Sequence, residues 1–161
     1  MIIRKAETKD LDAIWEIFHQ VVKEGYSYVF HPDTPRSDLD KYWTGPEFHV
    51  WVAEIDKKVV GSYYLKPNYT GLGSHIANAG YCVHNQHTGS GIGKKMCEHS
   101  LITAKDLGFK AMQFNFVVAS NHGAVRIWEQ YGFEIIGTIP NAFQHQKLGL
   151  TDAHIMYRSL D

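Results

Sequence analysis

Residues 81–96 read Tyr81-Cys82-Val83-His84-Asn85-Gln86-His87-Thr88-Gly89-Ser90-Gly91-Ile92-Gly93-Lys94-Lys95-Met96. An apolar, strand-like start is followed by three glycines at alternate positions, and the last two open a helical pattern. Glycine lets the backbone approach a phosphate closely, and the free N–H groups at a helix N-terminus attract anions. The stretch therefore predicts a strand, a phosphate-binding loop and a helix in succession. A tight strand-to-helix turn that uses glycine only for its geometry is the alternative.

Two common nucleotide-binding motifs do not fit this loop. A Walker loop ends in Gly-Lys-Ser/Thr, but here Gly93-Lys94 is followed by Lys95. A Rossmann fingerprint needs Gly-x-Gly-x-x-Gly and an acidic residue on the next strand, and the strand expected at residues 111–118 carries no acid. The loop is therefore assigned to neither class.

Hydrophobic periodicity extends the alternation of strands and helices to both sides of the loop. Alternating and fully apolar runs predict strands at residues 2–6, 49–55, 59–65, 75–83, 111–118, 134–138 and 153–157. Apolar residues at helical spacing predict helices at residues 8–24, 37–43, 91–107 and 121–132. This order implies one mixed sheet with helices on its faces.

Composition narrows the class of protein. The chain has 161 residues, 44% hydrophobic and 20% charged, which predicts one globular domain over residues 1–161. Sixteen Lys and Arg balance seventeen Asp and Glu, so no basic surplus indicates a nucleic-acid partner. No apolar stretch is long enough to span a membrane, and two cysteines do not make a disulfide framework. We expect a cytoplasmic protein with neither nucleic acid nor membrane as its partner.

Two motifs resemble those of the Gcn5-related N-acetyltransferases, the GNAT family. The family's pyrophosphate motif, Gln/Arg-x-x-Gly-x-Gly/Ala, matches residues 88–93 except at Thr88. A second motif, Asn-x-x-Ala-x-x-Leu/Ile-Tyr-Glu-x-x-Gly-Phe, matches residues 121–133 with Trp128 in place of its Tyr. Both occur in the family's order and spacing, and the resemblance covers essentially the whole chain.

The resemblance implies an α+β fold of the GNAT type, with a mixed, mostly antiparallel sheet flanked by helices and a splay between strands four and five. It implies acetyl-CoA as the cosubstrate, no metal, and a possible homodimer. The expected acetyl-CoA contacts are the backbone of two strand residues, the glycine loop and one asparagine, which is also the expected helix cap: Cys82, Val83, Thr88, Gly89, Ser90, Gly91, Ile92, Gly93, Lys94 and Asn121.

The residues that such enzymes commonly use for proton transfer are missing. No carboxylate occurs in residues 75–83, where a Glu base is common, and Trp128 replaces the usual Tyr acid. The general base and acid are therefore unassigned. Asn78 and Asn115 interrupt apolar strands, and a buried amide is costly unless it is hydrogen-bonded. We expect both to line the splay and to bind the substrate carboxylate or the tetrahedral oxyanion. The alternative is that each satisfies a backbone group where the ladder opens.

Further blocks, such as Phe30-His31-Pro32-Asp33-Thr34-Pro35, are similar to the family branch that acetylates L-azetidine-2-carboxylate and phosphinothricin-type amino acids. This likeness implies acetyl transfer to the amine of a small amino-acid-like molecule, by direct attack in a ternary complex. The acceptor residues expected from it are Phe30, His31, Tyr63, His75, Phe143 and His145.

Three other classes stay open at this point. A protein or peptide N-acetyltransferase would use the same cofactor site, and a non-catalytic acyl-CoA-binding domain would explain the missing acid and base. A metal enzyme would need ligands such as His84-x-x-His87, but that pair has no Cys or carboxylate beside it. Exposed loop histidines are the simpler interpretation of that pair.

Overall fold

The computed structural model describes residues 1–161 and contains one seven-stranded sheet with three α-helices packed on its faces. In chain order the elements are β1 (Ile2–Lys5), α1 (Leu11–Glu24), β2 (His49–Ile55), β3 (Lys58–Pro67), β4 (Ile76–Val83), α2 (Ile92–Asp106), β5 (Ala111–Val118), α3 (His122–Gln130), β6 (Glu134–His145) and β7 (Gly149–Ser159). The predicted mixed α/β architecture is confirmed.

The strand order is β1-β2-β3-β4-β5-β7-β6, and every neighbouring pair is antiparallel except β4 with β5. The parallel pair is short. Only Ile76 with Ala111 and Ala77 with Met112 lie in register before the two strands separate. The splay expected between the fourth and fifth strands is therefore present, and it opens toward the glycine loop that follows β4.

The sheet separates two hydrophobic cores, one on each face. The larger core packs α2 and α3 against the sheet through residues such as Met96 and Trp128, and the smaller packs α1 through residues such as Phe18. Side chains alternate between the faces along a strand. On β3, Tyr63 enters the larger core and Tyr64 enters the smaller one, so Tyr64 faces α1.

Helix α1 buries one apolar stripe and ends where the sequence indicates. Ile14, Phe18 and Val22 are almost fully buried, as their helical spacing requires. Gly25 follows the helix in a left-handed conformation at φ +69°, which glycine adopts without a Cβ clash. The aromatic-rich loop after Gly25 is thereby directed back over the splay.

Three details of the sequence prediction were wrong. Residues 37–43 do not form an α-helix but a 3₁₀ turn at Arg36–Asp38 and a π-helical turn at Asp40–Thr44. Helix α1 begins at Leu11, after a 3₁₀ turn, and not directly behind a Thr8 cap. The last two strands are about twice as long as predicted, because their exposed outer ends pair with each other and lack a buried apolar run.

None of the three α-helices combines the length and the apolar composition that a membrane-spanning helix requires. No group of three or more His, Cys, Asp or Glu side chains could hold a metal ion. Cys82 and Cys97 are both buried and unpaired.

An ion pair between the partly exposed Arg4 and the buried Asp10 ties β1 to the start of α1. Arg4 donates to both carboxylate oxygens of Asp10 at 2.8 and 2.9 Å, and also to Glu54 on β2 at 2.8 and 3.0 Å. Asp10 is 4% exposed and accepts a third hydrogen bond from the backbone N–H of Glu7 at 2.8 Å. These contacts, above all the hydrogen bonds from Arg4, hold the pKa of Asp10 below its usual value.

We expect Arg4→Met to lower the free energy of unfolding at pH 7 by about 3 kcal/mol, because the carboxylate of Asp10 stays buried without its cation. Urea denaturation measures the change. The matched control is Lys9→Met, which removes an exposed pair with Glu7 and the smallest of the charge effects on Asp10, and which should cost at most about 0.5 kcal/mol. Since the pKa of Asp10 is lower in the folded state, this stabilisation is complete above about pH 4 and is lost as the pH falls further. Equal losses in the two variants would contradict the prediction.

Candidate active site

Three adjoining cavities form one groove along the open edge of β4. The inner channel, about 440 Å³, lies beside the end of β4 and is lined by Val83, Ser120 and Asn121 among others. The central cavity, about 270 Å³, fills the splay, and the outer cavity, about 430 Å³, lies beneath the β6–β7 hairpin. Tyr81 and Asn121 line both the inner channel and the central cavity, whereas Tyr28 and Phe30 line both the central and the outer cavities. The groove therefore runs continuously from the glycine loop to the hairpin.

The glycine loop leaves backbone N–H groups open in front of α2. Gly89 and Gly91 are left-handed at φ +78° and +83°, and a Cβ at either would meet no atom within 4 Å. Gly91 directly precedes α2, so the unpaired N–H groups of the first turn face this space. The geometry is that of an anion-binding helix N-terminus.

The side chains of the loop contribute less than its backbone. The hydroxyls of Thr88 and Ser90 donate to the carbonyls of Asn85 and His87, within the loop itself. Ile92 is buried in the larger core, so only its main chain can reach a ligand. Lys94, one residue beyond Gly93, is exposed and is the loop's cationic side chain from the expected set.

Alternate residues of β4 direct their main-chain N–H and C=O groups toward β3 and toward the groove. His84 donates to Val60 on β3 at 2.9 Å, and in an antiparallel ladder the same orientation recurs at every second residue. The main-chain groups of Cys82 therefore face β3, opposite Ser62, and the expected backbone contact from Cys82 is wrong in register. Tyr81 and Val83 present their N–H and C=O groups to the groove instead.

Tyr28 covers the open main-chain groups of Tyr81. Its hydroxyl accepts a hydrogen bond from the N–H of Tyr81 at 2.9 Å and donates one to the C=O of the same residue at 3.1 Å. Burial of the hydroxyl raises its pKa well above the usual value, so the phenol is protonated at neutral pH. No sequence pattern indicates this contact, since Tyr28 lies in a loop with several other aromatic residues.

Two polar side chains beside the inner channel have hydrogen-bonding groups without a partner in the protein. The Ser120 hydroxyl oxygen is buried and has no hydrogen-bond partner, which is costly unless a ligand or water satisfies it. Asn121 caps α3, because its Oδ1 accepts from the N–H of Ala124 at 3.3 Å. Its amide N–H groups remain available toward the channel that it lines.

Asn78 and Asn115 both line the central cavity, but in different settings. Asn78 is 8% exposed; its Oδ1 accepts from the Tyr64 hydroxyl, and its Nδ2 donates to the C=O of Gln113 on β5, each at 3.1 Å. Asn115 is exposed at the rim and donates to Asn68 at 2.6 Å. Asn78 thus bridges the two strands and satisfies a backbone group where the ladder opens, which is the alternative stated for it above. It keeps one amide hydrogen and one lone pair free.

The acceptor residues expected from the sequence divide into two groups. Phe30, His31, Phe143 and His145 all line the outer cavity. His75 is exposed just before β4 and lines none of the three cavities of the groove. Tyr63 is fully buried in the larger core with its hydroxyl 2.6 Å from His99 Nδ1. Its neighbour Tyr64 lines the central cavity instead, because successive side chains face opposite sides of a strand.

A roof over the outer cavity and the inner channel joins the loop after α1 to the β6–β7 hairpin. His145 lines both spaces, whereas Tyr26 lines the channel and Gln146 lines the cavity. The ring of His145 stacks on Tyr26 at 4.8 Å, and the N–H of Gln146 donates to the C=O of Gly25 at 3.4 Å. His145 Nδ1 accepts from the N–H groups of Lys147 and Leu148, each at 3.1 Å. The imidazole therefore holds the hairpin, and only Nε2 is free for a ligand.

No carboxylate or histidine lines the central cavity, whose titratable groups are the phenols of Tyr28, Tyr64 and Tyr81. Burial raises the pKa of all three above the usual value. Trp128 packs its indole on Tyr81, with ring centroids 4.8 Å apart, and carries no acidic proton. The cavity can therefore position reactants and donate hydrogen bonds, but it contains no ordinary general base.

Comparison with known proteins gives a consistent result. The model of the Acetyltransferase (GNAT) family matches residues 13–133. The N-acetyltransferase aca1 of Schizosaccharomyces pombe is 38% identical over 117 residues, which make up 70% of this chain and 55% of that protein. The chain thus matches about half the length of aca1.

Two further proteins match over most of their length. The L-amino acid N-acetyltransferase AaaT of Escherichia coli is 28% identical over 141 residues, 86% of this chain and 85% of that protein. The solved structure of a GCN5-related N-acetyltransferase from Kribbella flavida has a TM-score of 0.92 and 35% identity, with 98% of this chain and 96% of that chain covered.

We expect Asn78→Ala to lower the free energy of unfolding by about 2 kcal/mol, because it leaves the buried Tyr64 hydroxyl and the Gln113 carbonyl without a partner. Asn115→Ala removes an amide of the same type from an exposed position and should cost about 0.5 kcal/mol or less. Urea denaturation of both variants at pH 7 provides the comparison. Similar losses in the two would show that Asn78 does not connect the strands as described.

Proposed function

The chain belongs to the acetyltransferase (GNAT) family, and we propose that it transfers an acetyl group from acetyl-CoA to the amine of a small amino-acid-like molecule. The transfer is by direct attack of the amine in a ternary complex. The observation that carries the proposal is the continuous groove from the open glycine loop, past the free edge of β4, into the small central cavity.

The residues along the inner channel fit the chemistry of acetyl-CoA. The backbone around Gly89 and Gly91, with Lys94, suits the pyrophosphate. The pantetheine arm carries amide groups, which match the main-chain groups of Val83 and the unpartnered hydroxyl of Ser120. Asn121 lines the same channel with free amide hydrogens. Polar groups of the protein are thus available for the pyrophosphate and for the amides of the pantetheine arm.

The acceptor side favours a small molecule. The central cavity measures about 270 Å³, and the hydrogen bond from Gln146 to Gly25 spans the outer cavity, which both residues line. An extended peptide would need an open cleft here. Asn78 and Asn115 each keep one amide hydrogen that could be donated to a carboxylate. AaaT, the relative from Escherichia coli, is itself an L-amino acid N-acetyltransferase.

Catalysis on this proposal depends on position and on main-chain hydrogen bonds. Acetyl-CoA supplies an activated carbonyl, and the N–H of Tyr81 is the donor that faces the splay. The central cavity has no carboxylate to accept a proton, so the acceptor enters as its neutral amine. Holding that amine beside the carbonyl supplies a large part of the rate, since proximity and orientation alone are worth several kcal/mol.

One of the two alternatives agrees with an observation, whereas a contact across the outer cavity disfavours the other. A non-catalytic acyl-CoA-binding domain agrees with the absence of an ordinary base in the central cavity. A peptide acetyltransferase would need the roof to open, because Gln146 contacts Gly25 across the outer cavity. The homodimer, the single domain over residues 1–161 and the cytoplasmic location stay predictions from the sequence.

We expect thiol release from acetyl-CoA to be at least about tenfold more efficient, in kcat/KM, with free L-amino acids and cyclic imino acids than with tripeptides, because the cavity excludes the longer chains. A thiol-trapping assay over both panels measures this. In the same assay, Asn115→Ala should raise KM for the best amino acid and leave KM for acetyl-CoA unchanged. Peptides as the better substrates would contradict the proposal, and binding of acetyl-CoA with no release for any amine would favour the non-catalytic alternative.

We expect Gly91→Ala to weaken CoA binding at least about tenfold, because the methyl group fills the space before α2 and the left-handed backbone is strained. Gly108→Ala is a matched control. Gly108 has a similar φ of +87° and equally open surroundings, but it follows the far end of α2. Calorimetric titration of both variants with CoA separates the effect of backbone strain from the loss of ligand contacts at the glycine loop. Equal weakening in both variants would mean that the loop does not hold the ligand.

A further inference from the structure

The Tyr28 hydroxyl takes the place of a missing strand at the open edge of β4. Beyond Ala77 no residue of β5 pairs with β4, yet Tyr81 keeps both main-chain hydrogen bonds, one accepted by and one donated by this hydroxyl. Buried main-chain groups need such partners. The phenol thus already holds two hydrogen bonds, one in each direction, at a single point of the splay.

On the proposed function, acetyl transfer takes place beside the main chain of Tyr81 in the splay. The N–H of Tyr81 is the main-chain donor that faces the central cavity. A thioester whose carbonyl oxygen accepts from this N–H must displace the Tyr28 hydroxyl from it. The displaced hydroxyl would then lie beside the carbonyl carbon. It would therefore be near both the sulfur and an attacking nitrogen, which are bonded, or are becoming bonded, to that carbon.

No other side chain of the central cavity is placed to move a proton there. The Tyr64 hydroxyl donates to Asn78. The Tyr81 hydroxyl points into the larger core, where it lies 2.7 Å from the hydroxyl of Ser100 on α2. Trp128 has no acidic proton. Burial raises the pKa of Tyr28, so a free phenolate is disfavoured and the phenol must gain a proton as it loses one.

We propose, on the premise of the acetyltransferase function above, that Tyr28 relays a proton from the attacking amine to the departing sulfur. As the nitrogen forms its bond to the carbonyl carbon, its N–H proton passes to the Tyr28 oxygen. The hydroxyl proton passes to the sulfur as the C–S bond breaks and its electron pair goes to sulfur. The products are the amide and the free thiol, and Tyr28 ends as the neutral phenol.

The test compares Tyr28→Phe with Tyr42→Phe in the full chain. Tyr42 packs its ring on Phe30 at 4.3 Å but lies outside the groove, and its hydroxyl makes no hydrogen bond. For Tyr28→Phe we expect kcat to fall about 100-fold, a usual loss for a proton-transfer group, with KM for acetyl-CoA not raised. Tyr42→Phe should keep the wild-type kcat.

Calorimetric binding gives a readout that does not depend on turnover. In Tyr28→Phe the N–H of Tyr81 has no competitor, so acetyl-CoA should bind roughly fivefold more tightly, the equivalent of one net hydrogen bond. CoA has no carbonyl at this place and should bind within about twofold of wild type. An unchanged kcat, or equal changes in affinity for the two ligands, overturns the relay.

Other outcomes are equally decisive. A wild-type protein that releases no thiol with any amine refutes the proposed function and the relay together, whereas an active wild type with an equally active Tyr28→Phe refutes the relay alone. If Tyr28→Phe does not fold, 3,5-difluorotyrosine at position 28 keeps the ring and both hydrogen bonds but is more acidic. The relay then requires a changed kcat with an unchanged KM, and an unchanged kcat overturns it.

Discussion

Parallel pairing between β4 and β5 stops after two residue pairs, and the remaining architecture of the groove depends on that interruption. A strand edge inside a protein has to satisfy its N–H and C=O groups. Tyr28 satisfies those of Tyr81, and Asn78 reaches across the opening to the carbonyl of Gln113. Each face of the sheet around the opening is covered by its own hydrophobic core. The opening is therefore a stable part of the fold, with polar groups already arranged along it.

The parts of the structure that depend on local chemistry could be predicted from the sequence. Three alternating glycines require an open loop before α2, and Gly25 requires the end of α1. Asn121 caps α3 as its position after an apolar strand indicates. The mixed sheet followed from the order of the elements, and the family resemblance added the splay between the fourth and fifth strands. In each case the deciding residues lie within a few positions of the feature.

The errors have a different origin, because they depend on register and on distant contacts. The sequence could not distinguish the face of Tyr63 from that of Tyr64, nor the edge of Cys82 from that of Val83, since a shift of one residue reverses both. The sequence predicts a strand that ends at residue 138, but β6 continues through Phe143 to His145, where it is paired only with β7. The contact of Tyr28 with Tyr81 joins residues 53 positions apart. No local pattern marks such a contact.

The roof formed by the Tyr26–His145 stack and the Gly25–Gln146 hydrogen bond joins segments from opposite ends of the chain. The glycine loop, in contrast, lies within one continuous strand-turn-helix segment. Insertions and deletions accumulate in exposed hairpins more readily than in such segments. A change of length at the β6–β7 hairpin would therefore reshape the outer cavity and leave the glycine loop intact. Proteins that share this glycine loop can consequently differ in the shape of the outer cavity through one short turn.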